Sequence, residues 1–140
     1  MTPNMTPATR RRLLWLATQP GFEGLREPCE HKDAFWIDTS FEKARCPCGA
    51  EWISNRGANW TGEGYVLPSA PECLWRLVPL LQARGFEVLI AYEPNEAGDV
   101  GASATVSRDI ENYWSSGWWA GYTMLDAIAL ATVRALGGPE

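Results

Sequence analysis

Cys29, His31, Cys46 and Cys48 constrain the fold most, because four soft metal ligands fall as two close pairs on either side of a hairpin-sized span, PCEHKDAFWIDTSFEKARCPCG. Zinc takes four thiolate or imidazole ligands in a closed tetrahedron, and pairs carried on two facing turns supply them with little ordering of the chain. The only His and three of the four Cys stand there. C-x-H and C-x-C make tighter chelates than the commoner C-x2-C, and Gly49 leaves the backbone free to turn amides toward a thiolate. The expectation is one structural Zn2+ held by these four residues on a β-hairpin, with Ala34 to Asp38 and Glu51 to Ser54 as its strands. The competing reading is thiols adjacent by chance beside a surface histidine.

At 140 residues the chain has room for one modest domain and a small appendage, and 46% hydrophobic with 21% charged residues makes it globular. A net charge of −5 opposes general binding to phosphate backbones. Cysteines arranged for a metal, with Cys73 single inside a helical pattern, fit a reducing compartment. Arg10-Arg11-Arg12 precedes only the short apolar run Leu13 to Ala17, too brief for a signal segment or a membrane span, so the expected location is the cytoplasm.

Three pieces follow along the chain. Thr6 as N-cap and Pro7 at the first helical position start a helix that ends near Thr18, giving an N-terminal helix within 1–20. Residues 21–64 comprise the zinc hairpin and a linker loop, Asn55 to Gly64, that is rich in glycine and polar residues. In residues 65–140, Ser69-Ala70-Pro71-Glu72 has the form of a capping box, so a helix runs from about Ala70 to Arg84, kinked at Pro79 and stopped at Gly85. Phe86, Val88, Ile90 and Tyr92 form the apolar face of one strand, and Val100, Ala102, Ala104 and Val106 that of a second. A third strand spans Glu111 to Trp119, and a last helix runs from about Gly121 to Leu136. The expected class is α+β: N-terminal helix, zinc-bound β-hairpin, then an αβββα sandwich on a three-stranded antiparallel sheet.

That order is also the order of a double-stranded-RNA-binding domain, and charge decides against the analogy. From Ser69 to Leu136 the cations are Arg76, Arg84, Arg108 and Arg134, against twice as many acids, and the last helix opens on Ala120-Gly121-Tyr122-Thr123 with no cation to reach a phosphate. The capped helix, the small sheet and the closing run from Asp126 to Leu136 resemble the Phage ABA sandwich domain, a family of small bacteriophage accessory proteins, over about residues 65–137. Some members with this likeness carry a Cys/His cluster ahead of the domain, at the position of Cys29 to Cys48. The chain departs from the pattern at Ala129, where a proline is expected. The resemblance implies a phage origin and action inside the infected bacterium, and it supplies no catalytic residues.

Eight tryptophans are the second chemical signal, and Tyr113, Trp114, Trp118, Trp119 and Tyr122 crowd one decade. On a continuous strand Tyr113 and Trp119 face one way, Trp114 and Trp118 the other. Either both faces are aromatic core, or one is an exposed surface for a partner or ligand. Ser116 between Trp114 and Trp118 favours that pair as the exposed one. Catalysis is not expected: with His31 on the metal no imidazole remains as a base, and GANWTGEG lacks the Lys-Ser/Thr ending of a phosphate loop. The expected function is that of a non-enzymatic, zinc-containing accessory protein that binds a host protein. Its target would be a bacterial defence or nucleic-acid-processing complex, an anti-CRISPR or other anti-defence role in which acidic charge meets a basic partner. The alternatives are a protein that sequesters a nucleotide signal and a virion-assembly component. Homo-oligomers stay open, and neither membranes nor nucleic acid in general are expected partners.

Overall fold

Helix α1 (Pro7–Ala17) starts where Thr6 accepts the Thr9 N–H on its side-chain oxygen at 3.2 Å, with Pro7 supplying a preset φ at the first helical position. The computed structural model describes residues 5–29, 31, 34–37, 43–46, 51–53, 60–61 and 65–140. After α1 come a 3-10 turn (Glu23–Leu25), the strands β1 (Glu27–Pro28), β2 (Phe35–Trp36), β3 (Lys43–Arg45), β4 (Glu51–Ile53), β5 (Trp60–Thr61) and β6 (Tyr65–Val66), and helix α2 (Ala70–Ala83). Then follow β7 (Glu87–Pro94), β8 (Val100–Ser107), β9 (Tyr113–Ser115), β10 (Trp119–Ala120) and α3 (Met124–Leu136). The class is α+β with antiparallel sheets, and the chain divides into two units, residues 1–25 with 68–140, and residues 26–67. The N-terminal helix thus belongs with the later elements.

In the first unit α3 is the centre. Every residue from Leu125 to Val133 is buried, which a helix achieves only when packed on all sides. Its neighbours are β7, β8 and β9, and also α1 and α2. Ala127, Ala129 and Ala131 let those elements come close, while Leu13, Leu16, Leu77, Leu81 and Phe86 fill the space around it. Its start is a capping box: Thr123 Oγ1 accepts the Asp126 N–H at 3.1 Å and the Asp126 carboxylate accepts the Thr123 N–H at 2.9 Å. The capping box expected on α2 does not form. Ser69 makes no side-chain cap bond, and Glu72 pairs instead with Arg76 one turn on at 3.1 Å, a competing partner at i,i+4.

β7 and β8 pair over their full length, from Glu87↔Ser107 to Pro94↔Val100. Val88, Ile90, Ala102, Ala104, Val106 and Trp114 share the face that α3 covers, with α2 packed beside it on β7. The opposite face carries Ala91, Ser103, Thr105 and Ser115, with Leu89 70% and Tyr113 61% exposed. The expected third strand is split. β9 pairs Thr105↔Ser115 and Val106↔Trp114, whereas β10 pairs Ala102↔Trp119 and Gly101↔Ala120, so one extra residue enters between them. Gly117, at φ +71°, makes the bulge. Ser116 is buried there because its hydroxyl accepts the Ala104 N–H at 2.9 Å and donates to the Gly117 carbonyl at 2.7 Å, restoring bonds that the bulge interrupts.

Residues 26–67 hold a four-stranded antiparallel sheet in the order β2-β3-β4-β5, and a pairing of β1 with β6 that brings the two ends of the segment together. This corrects the two-stranded hairpin. β3 stands between the two expected strands, and β5 lies in the stretch expected to be linker. The signal of β3 is weak because its one buried residue is Ala44, between exposed Lys43 and Arg45. Asp38, Ser54 and the rest of that linker, 55–59 and 62–64, lie outside the described residues.

Candidate metal centre and aromatic face

Cys29 directly follows β1 and Cys46 directly follows β3, and the two sulfurs are 3.4 Å apart. Both are free thiols. His31 completes a cluster in which one ligand atom from each residue lies within 4.8 Å of the others. A tetrahedral zinc site with Zn–S near 2.3 Å has sulfur–sulfur edges of about 3.8 Å, so this spacing needs little adjustment. His31 takes φ 60°, a left-handed conformation rare outside glycine, and its N–H donates to the Cys29 Sγ at 3.3 Å. That turn folds the imidazole back toward the thiol two residues earlier. Cys46 is 2% exposed, and Cys29 and His31 are half-buried. Two soft sulfurs and an imidazole in a partly closed corner can hold a metal ion. Cys48, the fourth expected ligand, lies outside the described residues.

Beside the cluster, the register of the sheet lines up a row that the sequence reading passed over. Trp36 pairs with Ala44, Ala44 with Trp52, and Trp52 with Trp60, so these positions share one face. Because Ala44 is small, the rings of Trp36 and Trp52 meet over it, 5.5 Å between centroids and 78° between planes. Ala44 and Cys46, two residues apart, are both buried, so the row and the thiol occupy the same side of β3. Among the described residues, Ala34, Phe35, Trp36, Ala44 and Trp52 line a cleft of about 460 Å³, and none of these five carries a titratable side chain. Trp36 keeps 48% of its surface exposed and Phe35 is exposed as well. The signal was present in the spacing: positions 36, 44, 52 and 60 recur at intervals of eight, the repeat of a short strand plus its turn.

The bulge at Gly117 regroups the aromatic decade. Past it Trp119 stands opposite Ala102, on the face of Trp114, and no longer with Tyr113. Trp114 is half-buried, edge-on to Phe86 at 6.3 Å, with the Arg108 guanidinium 4.6 Å from the Phe86 ring centre. Trp118 is half-buried over Gly101, where a Cβ would strike its ring, and its Nε1 donates to the Glu93 carbonyl at 3.1 Å. The pair expected to be exposed, Trp114 and Trp118, is therefore the more covered one. Tyr113 and Trp119 are the exposed rings, on opposite faces, and Trp119 is anchored by its Nε1 on the Ser116 carbonyl at 2.7 Å. The four do not form one surface.

No helix among the described residues is long and apolar enough to cross a membrane. Comparison with protein-family models, with curated proteins and with solved structures finds no match to this chain.

Proposed function

We propose that this chain is a non-enzymatic binding protein in which a structural zinc ion holds residues 26–67 so that their aromatic face engages a partner protein. The observation that carries this is the juxtaposition of the Cys29/His31/Cys46 cluster with the Trp36–Ala44–Trp52 row on one side of β3. Among the described residues of 26–67 only Ala44 and Cys46 are buried in the apolar core, and metal ligation would add folding free energy to a sheet of such short strands. Cys48, two residues from Cys46, is the natural fourth ligand of a closed Cys3His site, which leaves no open position for substrate. An exposed tryptophan, Trp36, edge-on to the half-buried Trp52 over a small residue in an apolar cleft, is the kind of anchor that protein interfaces concentrate their energy on. If the sequence resemblance to the Phage ABA sandwich family holds, the partner is one met in an infected bacterium, and a defence or nucleic-acid-processing complex is the target this reading favours.

The test begins with affinity capture of a partner from bacterial lysate on the wild-type chain, followed by calorimetry with the captured protein. Trp36→Ala should weaken binding by about 2 kcal/mol or more, roughly thirtyfold. It should cost less stability than the 3–5 kcal/mol of a buried tryptophan, because the ring is half exposed. Undiminished affinity in Trp36→Ala overturns the assignment of this face.

A further inference from the structure

β7 is the outer strand of its sheet: it pairs with β8 on one side, and among the described residues no strand pairs with it on the other. The direction of its backbone groups follows from register. The Asn95 N–H donates to the Asp99 carbonyl at 2.8 Å, one step beyond the Pro94↔Val100 pair. Antiparallel pairs alternate between bonded and non-bonded residues. Glu93, Ala91, Leu89 and Glu87 therefore bond to β8, while Tyr92, Ile90 and Val88 aim their N–H and C=O groups outward. β8 agrees, since Ala104, a residue of the other parity, accepts the Ser116 N–H from the opposite neighbour at 2.9 Å.

A row of outward N–H and C=O groups is a template for an added strand, and charge selects which strand. A second copy paired through all three outward residues would centre on Ile90, which sets Glu87 of each copy opposite Glu93 of the other, like charge against like. Both carboxylates are exposed, and Leu89 and Ala91 stand between them on the same open face. They match a strand with cations at its ends and short apolar residues between. Glu96 and Asp99, in the turn that follows, add to the acidic field. We propose that the edge of β7 takes up an extended basic segment of a partner protein by strand addition, pairing on Val88, Ile90 and Tyr92 and meeting cations at Glu87 and Glu93. This extends the binding reading to a surface that uses neither the metal nor the aromatic cleft.

The probe is the end-blocked peptide Lys-Thr-Val-Thr-Val-Thr-Lys, titrated into the full-length, isotope-labelled chain. Saturable shifts and slowed hydrogen exchange are expected at the Val88, Ile90 and Tyr92 amides. A peptide with Glu in place of both Lys should bind about tenfold more weakly, as should the Lys peptide to Glu87→Lys/Glu93→Lys. Both substitutions are exposed, and the remaining amide signals report that the fold persists. No saturable shift, shifts confined to other residues, equal affinity for the acidic peptide, or a chain already dimeric through β7 would each overturn the proposal. None of these outcomes bears on Trp36→Ala, so the two readings fail separately.

Discussion

At Asp126 a single carboxylate serves two helices. One oxygen accepts the buried Thr9 hydroxyl of α1 at 2.5 Å, the other accepts the Thr123 N–H that starts α3, and the side chain is 4% exposed. Asp126→Ala removes a capping interaction and strands the Thr9 hydroxyl away from water, and should cost about 2–4 kcal/mol in urea unfolding. Asp109 is the contrasting acid, on the exposed turn between β8 and β9. Hydrogen bonds from the Asn112 side-chain amide, the Asn112 N–H and the Glu111 N–H hold its carboxyl below the usual carboxylate range. A depressed value means the turn gains from these bonds at any pH above the ordinary carboxylate range, and loses them as pH falls through the lowered value. In an NMR pH titration the Glu111 and Asn112 amides should therefore move together, with a midpoint below that of an unstructured aspartate. A midpoint at or above it would contradict the turn geometry.

Among the elements, α1, α2, β7 and β8 were legible in the sequence because caps and apolar periodicity act locally: Thr6-Pro7 opens α1, and Val88/Ile90 and Ala102/Ala104/Val106 alternate without interruption. The third strand was misread because strict alternation cannot register an inserted residue. Gly117 was visible as a glycine, yet the bulge it makes depends on pairing with β8. Gly117→Val should destabilise the protein by about 1–3 kcal/mol, since a β-branched residue is strained at positive φ. The Trp119 ring environment should change with it, as read by fluorescence. In residues 26–67 the Cys29, His31 and Cys46 cluster was legible as a pattern of residue types. The Trp36 and Trp52 face was not, because it depends on β3, whose single buried Ala44 gives almost no hydrophobic signal.

For the whole molecule, the division into two units predicts that the proposed metal supports one of them selectively, the one that holds the Cys29/His31/Cys46 cluster. The core around α3 rests on Leu13, Leu16, Leu77, Leu81 and Ile128, all fully buried, and the Cys29/His31/Cys46 cluster belongs to the other unit. Chelation under reducing conditions should broaden or collapse the NMR signals of Ala44, Trp52 and their neighbours while those of Leu125 to Val133 persist. With a net charge of −5, the chain should also show no detectable binding to random duplex DNA or RNA at physiological salt, and micromolar binding with a steep salt slope would contradict the charge argument. The most direct measurement is elemental analysis of the purified, reduced chain alongside Cys46→Ser. The account predicts close to one zinc per chain, lost in the variant together with the 26–67 sheet; a metal-free chain in which that sheet is fully formed would contradict it.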